Sequence, residues 1–104
     1  MTSQHDAVVR AIMTKAASRG LLSHYCTRSV TCAGDRGLPD LIIAGTYHLG
    51  FIEVKTPGSP SLSPGQTRWR HVLIAAGAVY EIMTGEDLAP GGAVDQFLTF
   101  ISTP

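Results

Sequence analysis

The stretch "PDLIIAGTYHLGFIEVK" at residues 39–55 decides the fold, because two short apolar runs lie on either side of three intervening residues. The runs "PDLIIAG" and "LGFIEVK" have the length and the Ile, Val and Phe content of β-strands, and the short "TYH" between them predicts a hairpin. Pro39 lacks a backbone N–H, which suits the first residue of a strand. In such a hairpin the start of the first strand lies opposite the end of the second. Asp40 is therefore expected near Glu53 and Lys55.

The charged side chains at these strand ends indicate a metal-binding or catalytic site. Alternate residues of a strand share a face, so Phe51, Glu53 and Lys55 point one way while Ile52 and Val54 point into the core. Two carboxylates and an amine are costly to desolvate unless they are paired or bind an ion. Carboxylate oxygens, a backbone carbonyl and water are the ligands that Mg²⁺ or Mn²⁺ accepts, and a nearby lysine can orient the attacking water. The pattern favours hydrolysis of a phosphodiester.

The remaining sequence predicts one continuous α/β domain over residues 1–104. A helix is expected over residues 4–19, ended by Gly20, and β-prone sequence follows over residues 21–32. The tail segment "QFLTFI" is expected as a short helix or an edge strand. The predicted order is helix, strand, hairpin, helix, strand around a central mixed sheet. The second helix is predicted from the capping pattern "SPGQ", and the final strand from the segment "AVYEIMT".

The second helix carries apolar residues at helical spacing. Trp69, Val72, Leu73 and Ala76 stand at i, i+3, i+4 and i+7, which predicts an apolar face with Trp69 in the core. A stacking platform for a base is the alternative for Trp69. Ser63 is the expected N-cap, followed by proline at the first helical position.

Composition limits the class of protein. With 44% apolar and 15% charged residues, the 104-residue chain is typical of a single globular domain. The longest apolar stretch, residues 72–80, is far shorter than the roughly 20 residues that cross a bilayer, and the N-terminus lacks the pattern of a secretory signal. We therefore expect a cytoplasmic protein without membrane association, in which Cys26 and Cys32 are reduced.

The charges are unevenly distributed although the formal net charge is zero. All eight Lys and Arg residues lie in residues 1–70 together with four acids, whereas residues 71–104 contain the other four acids and no Lys or Arg. Residues 1–70 thus carry a formal net charge of +4, from eight basic and four acidic residues. A polyanion could meet a positive face here, particularly if metal neutralises Asp40 and Glu53. A mixed solvated surface is the alternative.

The sequence resembles the VRR-Nuc family of the PD-(D/E)xK nuclease superfamily. The residues that carry the resemblance are "GLPDLI", "FIEVKTPG", "LSPGQTRW" and "AAGAVYEI", within a span from about residue 3 to residue 88. "PD…ExK" alone is weak evidence because it specifies few positions. Its combination with the glycine before the proline and with Gln66-x-x-Trp69 is much more specific.

The resemblance implies a restriction-endonuclease-like core and a Mg²⁺- or Mn²⁺-dependent deoxyribonuclease that leaves a 5′ phosphate. It further implies that Asp40, Glu53 and the Val54 carbonyl bind the metal, that Lys55 positions the water, and that Gln66 faces the site. Small stand-alone members, found in phages, resemble endonucleases that cut branched DNA.

One departure from the family lies in the first helix, where a glutamate usually completes the metal site. This chain has "SQHDAVV" instead, so His5 or Asp6, or less readily Gln4, is expected to substitute. Arg36, Arg68 and Arg70 are the residues expected to contact DNA phosphates.

Simpler explanations stay open for each residue. Glu53 and Lys55 could form an exposed ion pair, Asp40 could cap a turn, and Gln66 could only close a capping box.

At the level of function we expect a Holliday-junction resolvase-like homodimer acting in the cytoplasm of a bacterium or phage-infected cell. The expected dimer interface is the tail "DQFLTFI" with leftover apolar surface on the first helix. A flap or single-strand nuclease, an exonuclease of the same superfamily and a non-catalytic DNA-binding module are the alternatives.

Overall fold

The computed structural model describes residues 3–25 and 34–104. The predicted order of elements is confirmed, and the tail forms a helix. Cys26, Cys32 and Arg28 lie outside the described residues, as does the predicted continuation of the first strand beyond Tyr25. The elements are α1 (Gln4–Ser18), β1 (Leu22–Tyr25), β2 (Leu41–Ala44), β3 (Leu49–Val54), α2 (Pro64–Ala75), β4 (Val79–Met83), a 3₁₀ turn (Gly85–Leu88) and α3 (Ala93–Ile101).

The strands form one mixed sheet in the order β1-β2-β3-β4. The hairpin is confirmed, because β2 and β3 pair antiparallel with Leu41 opposite Ile52. β1 also pairs antiparallel with β2, whereas β4 lies parallel to β3 after the α2 crossover. This register brings Asp40, directly before β2, to the level of Glu53 near the end of β3.

The hydrophobic core lies between one face of the sheet and the helices α1 and α3. From α3 it includes Val94, Phe97, Leu98 and Ile101, so the expected dimer interface in the tail is wrong. An amphipathic helix buries its apolar face wherever an uncovered sheet face is within reach, and here that face belongs to the same chain. The first helix contributes Val9, Ile12 and Ala16 to the same core, with Val8 and Met13 partly buried against it.

The opposite face of the sheet is covered more thinly, by α2. No side chain of α2 is fully buried, and Val72 is 55% exposed. The prediction that Trp69 is a core residue is wrong: its indole is partly buried, and Nε1–H donates a hydrogen bond to the Asp35 carbonyl at 3.1 Å. This bond ties α2 to the turn before β2.

Two glycines allow that turn to touch α2 directly. Gly37 has a φ of +104°, and a Cβ there would collide with the backbone of Gly65. A Cβ on Gly65 would lie 2.7 Å from the Arg36 carbonyl oxygen. The residues before β2 and the first turn of α2 are therefore held at backbone contact.

Within the ranges 3–25 and 34–104, none of the helices combines the length and the apolar character needed to cross a bilayer.

Candidate active site

The hairpin places Asp40, Glu53 and Lys55 together, as the sequence predicts. Asp40 Oδ2 accepts a hydrogen bond of 2.8 Å from the Val54 N–H, which holds the carboxylate across the two strands. Lys55 Nζ lies 3.8 Å from Glu53 Oε2. The alternative interpretation of Asp40 as a turn cap does not describe its contacts, because its carboxylate accepts a hydrogen bond from the neighbouring strand.

Gln66 closes the capping box and also faces the site. Its Oε1 accepts hydrogen bonds of 2.9 Å from both the Ser63 N–H and Lys55 Nζ. Its Nε2 donates to Glu53 Oε2 at 3.2 Å. Gln66 therefore forms the capping box and also faces the site, since one side chain fixes the start of α2 and connects Glu53 to Lys55.

Glu53 is a buried carboxyl group that lacks a full set of partners. It is 4% exposed, and within the described part of the chain its Oε1 is buried without a hydrogen-bond partner. Burial, and secondarily the charge of Asp40, raises the pKa of Glu53 to about 8, although Lys55 opposes the shift. An exposed ion pair with Lys55 is therefore excluded as the description of this residue. A bound cation would add to the counter-charge of Lys55, which compensates Glu53 only in part.

The start of α1 brings His5 and Asp6 to the same region, but in different ways. His5 Nε2 lies 3.1 Å from Asp40 Oδ2, beside a predicted metal ligand. Asp6 instead accepts a hydrogen bond from the Tyr25 hydroxyl. That bond, followed by the bond from Ser3, lowers the pKa of Asp6. Of the two residues expected to substitute for the family glutamate, His5 is the one in contact with Asp40.

The donor set fits a hard cation that retains water. Taking residues 3–25 and 34–104 together, no three His, Cys, Asp or Glu side chains are grouped as a complete metal-binding cluster. The predicted set needs only two carboxylates, from Asp40 and Glu53, with the Val54 carbonyl, and Mg²⁺ commonly keeps several waters. A cavity of about 50 Å³ beside Val54 and Lys55 is also lined by Gln4 and His5 and has room for a water molecule, although neither Asp40 nor Glu53 lines it.

Tyr80 is a residue of the site region that sequence reasoning missed. It pairs with Phe51 across β3 and β4 and shares the face of Glu53. Its hydroxyl is buried and, among the described residues, unpartnered. Burial, followed by the charge of Glu53, raises the pKa of Tyr80 to about 12. The alternation of side chains along β4 could have placed Tyr80 on the face of Glu53 only if the pairing of β4 with β3 had been known. That pairing follows the α2 crossover and is not a local property of the sequence.

The three arginines expected at DNA lie on and beside α2. Arg36 and Arg68 line a pocket, and the guanidinium of Arg70 lies 5.8 Å from the ring centroid of Tyr80. In the described chain, none of the three lies within 4.0 Å of a carboxylate oxygen. The pairing seen elsewhere joins Lys15 and Arg19 to Asp95.

Comparison with known proteins identifies the fold. One solved structure, described as a VRR_NUC domain, is similar with a TM-score of 0.66 at 20% sequence identity, covering 86% of this chain and 94% of that chain. Another, described as a VRR_NUC domain protein, has a TM-score of 0.67 at 21% identity and covers 95% of this chain and 91% of that chain. These similarities confirm the restriction-endonuclease-like α/β core.

Searches with the sequence itself found neither a matching family model nor a matching curated protein.

Proposed function

We propose that this chain is a nuclease of the VRR-Nuc family, a Mg²⁺- or Mn²⁺-dependent endonuclease that hydrolyses phosphodiester bonds in branched DNA. The observation that carries the proposal is Glu53, a buried carboxyl with one unpartnered oxygen, at the level of Asp40 and beside Lys55. The fold shared with VRR_NUC domains supports the same assignment.

Asp40, Glu53 and the Val54 carbonyl would hold the ion, with His5 next to Asp40. When bound, the cation polarises the scissile phosphate and lowers the pKa of the attacking water. Gln66 binds Glu53 through Oε2, which leaves Oε1 free for the ion.

Lys55 contributes a fixed positive charge beside these carboxylates. Its ammonium donates to Gln66 Oε1 at 2.9 Å, so its direction is set by the first turn of α2 rather than by solvent. Two further N–H donors of the ammonium are available to orient a water or to bond a phosphate oxygen. A preorganised donor of this kind stabilises the charge that develops on phosphate oxygens in the transition state.

A panel of end-labelled branched and linear DNAs, incubated with Mg²⁺, with Mn²⁺ and with chelator, tests the activity. Cleavage is expected with either cation and not with chelator. Glu53→Ala and Lys55→Ala should abolish cleavage with the fold retained, whereas Glu81→Ala and Lys15→Ala, which change the same residue types away from the site, should not. A folded Glu53→Ala protein that cleaves at the wild-type rate would contradict the proposal.

Helix α1 is tested by metal titration of His5→Ala and Asp6→Ala. Because His5 contacts Asp40, we expect His5→Ala to weaken the metal dependence more than Asp6→Ala does. If neither substitution changes the metal requirement, α1 supplies no ligand or orienting group.

Binding through Arg36, Arg68 and Arg70 should depend on salt. A few phosphate contacts predict a loss of affinity of roughly tenfold or more between about 50 and 200 mM salt. An affinity that does not respond to salt would contradict contact with the DNA backbone.

The working unit that we propose is a homodimer that cuts a four-way junction in symmetric pairs, because two incisions related by a two-fold axis need two sites. Since α3 is buried, its apolar residues do not form the interface, apart from Phe100, which is 56% exposed. Sedimentation at micromolar concentration, combined with a test for paired incisions, examines this. A monomer that makes unpaired nicks would indicate the flap or single-strand alternative, and DNA binding without cleavage the non-catalytic one.

A further inference from the structure

A pocket of about 150 Å³ lies between the turn that precedes β2 and the first half of α2. It is lined by the basic residues Arg36 and Arg68, by Trp69 and Val72, and by Asp35 and Gly65. The Trp69 N–H is already bonded to the Asp35 carbonyl, so Trp69 offers the pocket ring surface rather than a hydrogen-bond donor. The pocket thus combines two basic residues and one acidic residue with an aromatic surface.

The two cations are available to a ligand. In the chain as described, no carboxylate oxygen lies within 4.0 Å of Arg36 or Arg68. Arg19, by contrast, is bonded to Asp95 and Thr99. The two guanidinium groups outweigh the single acidic residue of the pocket, Asp35, so the pocket favours an anion with several oxygens, such as a phosphodiester.

The pocket is rigid because its two walls meet at backbone level. Gly37 packs against the backbone of Gly65, and the Asp35–Trp69 bond joins the same two segments one turn further along α2. Arg36 and Arg68 therefore belong to two segments that are held in contact, so a ligand would not have to bring the walls of the pocket together.

The pocket also adjoins the proposed active site. Gln66, which bonds to both Glu53 and Lys55, and Trp69 are three residues apart on α2. That spacing is about 4.5 Å along the helix axis and keeps both residues on one side of it.

We propose that this pocket binds one unpaired nucleotide of the strand being cut, adjacent to the scissile phosphate. Trp69 and Val72 contact the base, and Arg36 and Arg68 bind its phosphate. The inference rests on the proposed nuclease function and specifies its substrate: a base held in a stack of paired bases cannot reach a pocket of this kind without being unstacked. The enzyme should therefore cut where the strand is unpaired, at a flap, a loop or the open centre of a branch.

Trp69 provides a direct probe, because it is the single tryptophan of the chain. With chelator present to prevent cleavage, a short single strand is titrated against the wild-type protein while anisotropy of the labelled strand reports binding. We expect tryptophan fluorescence to be quenched at saturation by the single strand. A strand of the same length without bases and a blunt duplex should bind with little quenching. Equal quenching by all three DNAs, or none at saturation, would overturn the proposal.

Substitutions separate stacking from positioning. Trp69→Leu should weaken single-strand affinity roughly 5- to 100-fold and leave affinity for the baseless strand unchanged, as expected for the loss of one base stack. Trp69→Phe loses the bond to Asp35 but keeps a ring, so it should retain most of the affinity. If Trp69→Phe is as impaired as Trp69→Leu, Trp69 acts by positioning the turn and the base site is wrong.

The arginines are tested against a matched control. Arg36→Gln and Arg68→Gln should each weaken binding to both strands and reduce the salt slope by about one, whereas Arg19→Gln, whose side chain is bonded to α3, should not. Unchanged salt slopes for both pocket variants would remove the phosphate contact from the proposal.

A protein without nuclease activity and a nuclease without a base-binding pocket give different experimental results. If no DNA binds or is cut, the nuclease assignment fails and the pocket with it. If DNA is cut but the fluorescence response is absent, only the pocket assignment fails.

Discussion

The two faces of the sheet differ in how completely their side chains are buried and in how their charges are paired. On the α1 and α3 side, Ile12, Leu98 and Ile101 are fully buried, and the charges at the rim are paired, as Lys15 is with Asp95. On the α2 side the covering helix has no fully buried side chain, and Glu53 lies buried with an unpartnered oxygen.

This difference shows how a small domain can separate stability from chemistry. Apolar burial stabilises the fold mainly through one face, since burial of each large aliphatic side chain contributes about 1.5–3 kcal/mol. The other face can then tolerate a carboxyl group whose desolvation is unfavourable. Substitutions on the two faces should therefore have opposite effects on stability and activity.

The largest expected effect is on activity, from Glu53→Gln on the α2 face. The neutral amide keeps the shape of the side chain but removes a metal ligand, so cleavage should fall about 100-fold or more. The thermal midpoint of the metal-free protein should not fall, because no buried carboxyl then has to be desolvated. A parallel loss of activity and stability would contradict the conclusion that the α2 face serves activity rather than stability.

A matched pair of substitutions tests the first face against the second. Leu98→Ala removes a fully buried side chain from the core and should lower the free energy of unfolding by about 2–5 kcal/mol. Val72→Ala on α2, which is 55% exposed, should change it by no more than about 0.5 kcal/mol. Urea unfolding measures both, and similar values for the two variants would show that α2 contributes as much as α3.

Glycine substitutions test how much the backbone contact between Gly37 and Gly65 contributes to stability. Gly37 and Gly58 both have positive φ, at +104° and +83°, but a Cβ on Gly58 would meet nothing within 4 Å whereas one on Gly37 would collide with Gly65. Gly58→Ala should cost about 1–2 kcal/mol from its backbone conformation alone. Gly37→Ala should cost more and should also impair DNA binding. Equal urea midpoints for the two variants would contradict the backbone contact.

The most gradual effect is that of pH on the metal-free protein. The folded-state pKa of Glu53 is raised from 4.5 to about 8, so the folded protein binds a proton that the unfolded chain releases. The free energy of unfolding should then decrease as the pH rises from about 4.5 to about 8, by at most about 1.4 kcal/mol per pH unit. Unfolding in chelator at several pH values measures this slope, and Glu53→Gln should remove it. A slope unchanged in that variant would assign the titration to another group.

Sequence reasoning succeeded where neighbours in space are close along the chain. The hairpin of β2 and β3 has a short loop, so its register could be predicted, and with it the proximity of Asp40 to Glu53 and Lys55. The capping box at Ser63 was likewise a local pattern, and the structure contains it.

The failures involve contacts between distant elements. The apolar tail predicted a buried surface, but periodicity does not say whether a helix packs on its own chain or on another, and α3 packs on its own. Trp69 has the right spacing for a core residue, yet Gly37 and Gly65 bring the turn before β2 against α2, and its N–H bonds there instead.

The sequence by itself determined the α/β class, the order of elements and the cluster of Asp40, Glu53 and Lys55, because strand alternation and a short hairpin are local properties. Only the tertiary structure decided that Gln66 joins Lys55 to Glu53, that His5 reaches Asp40 and that Tyr80 faces the site. These contacts depend on how α1 and α2 pack against the sheet and on the register of β4 after its crossover. Such packing is set by the burial of many side chains at once, so no single stretch of residues encodes it.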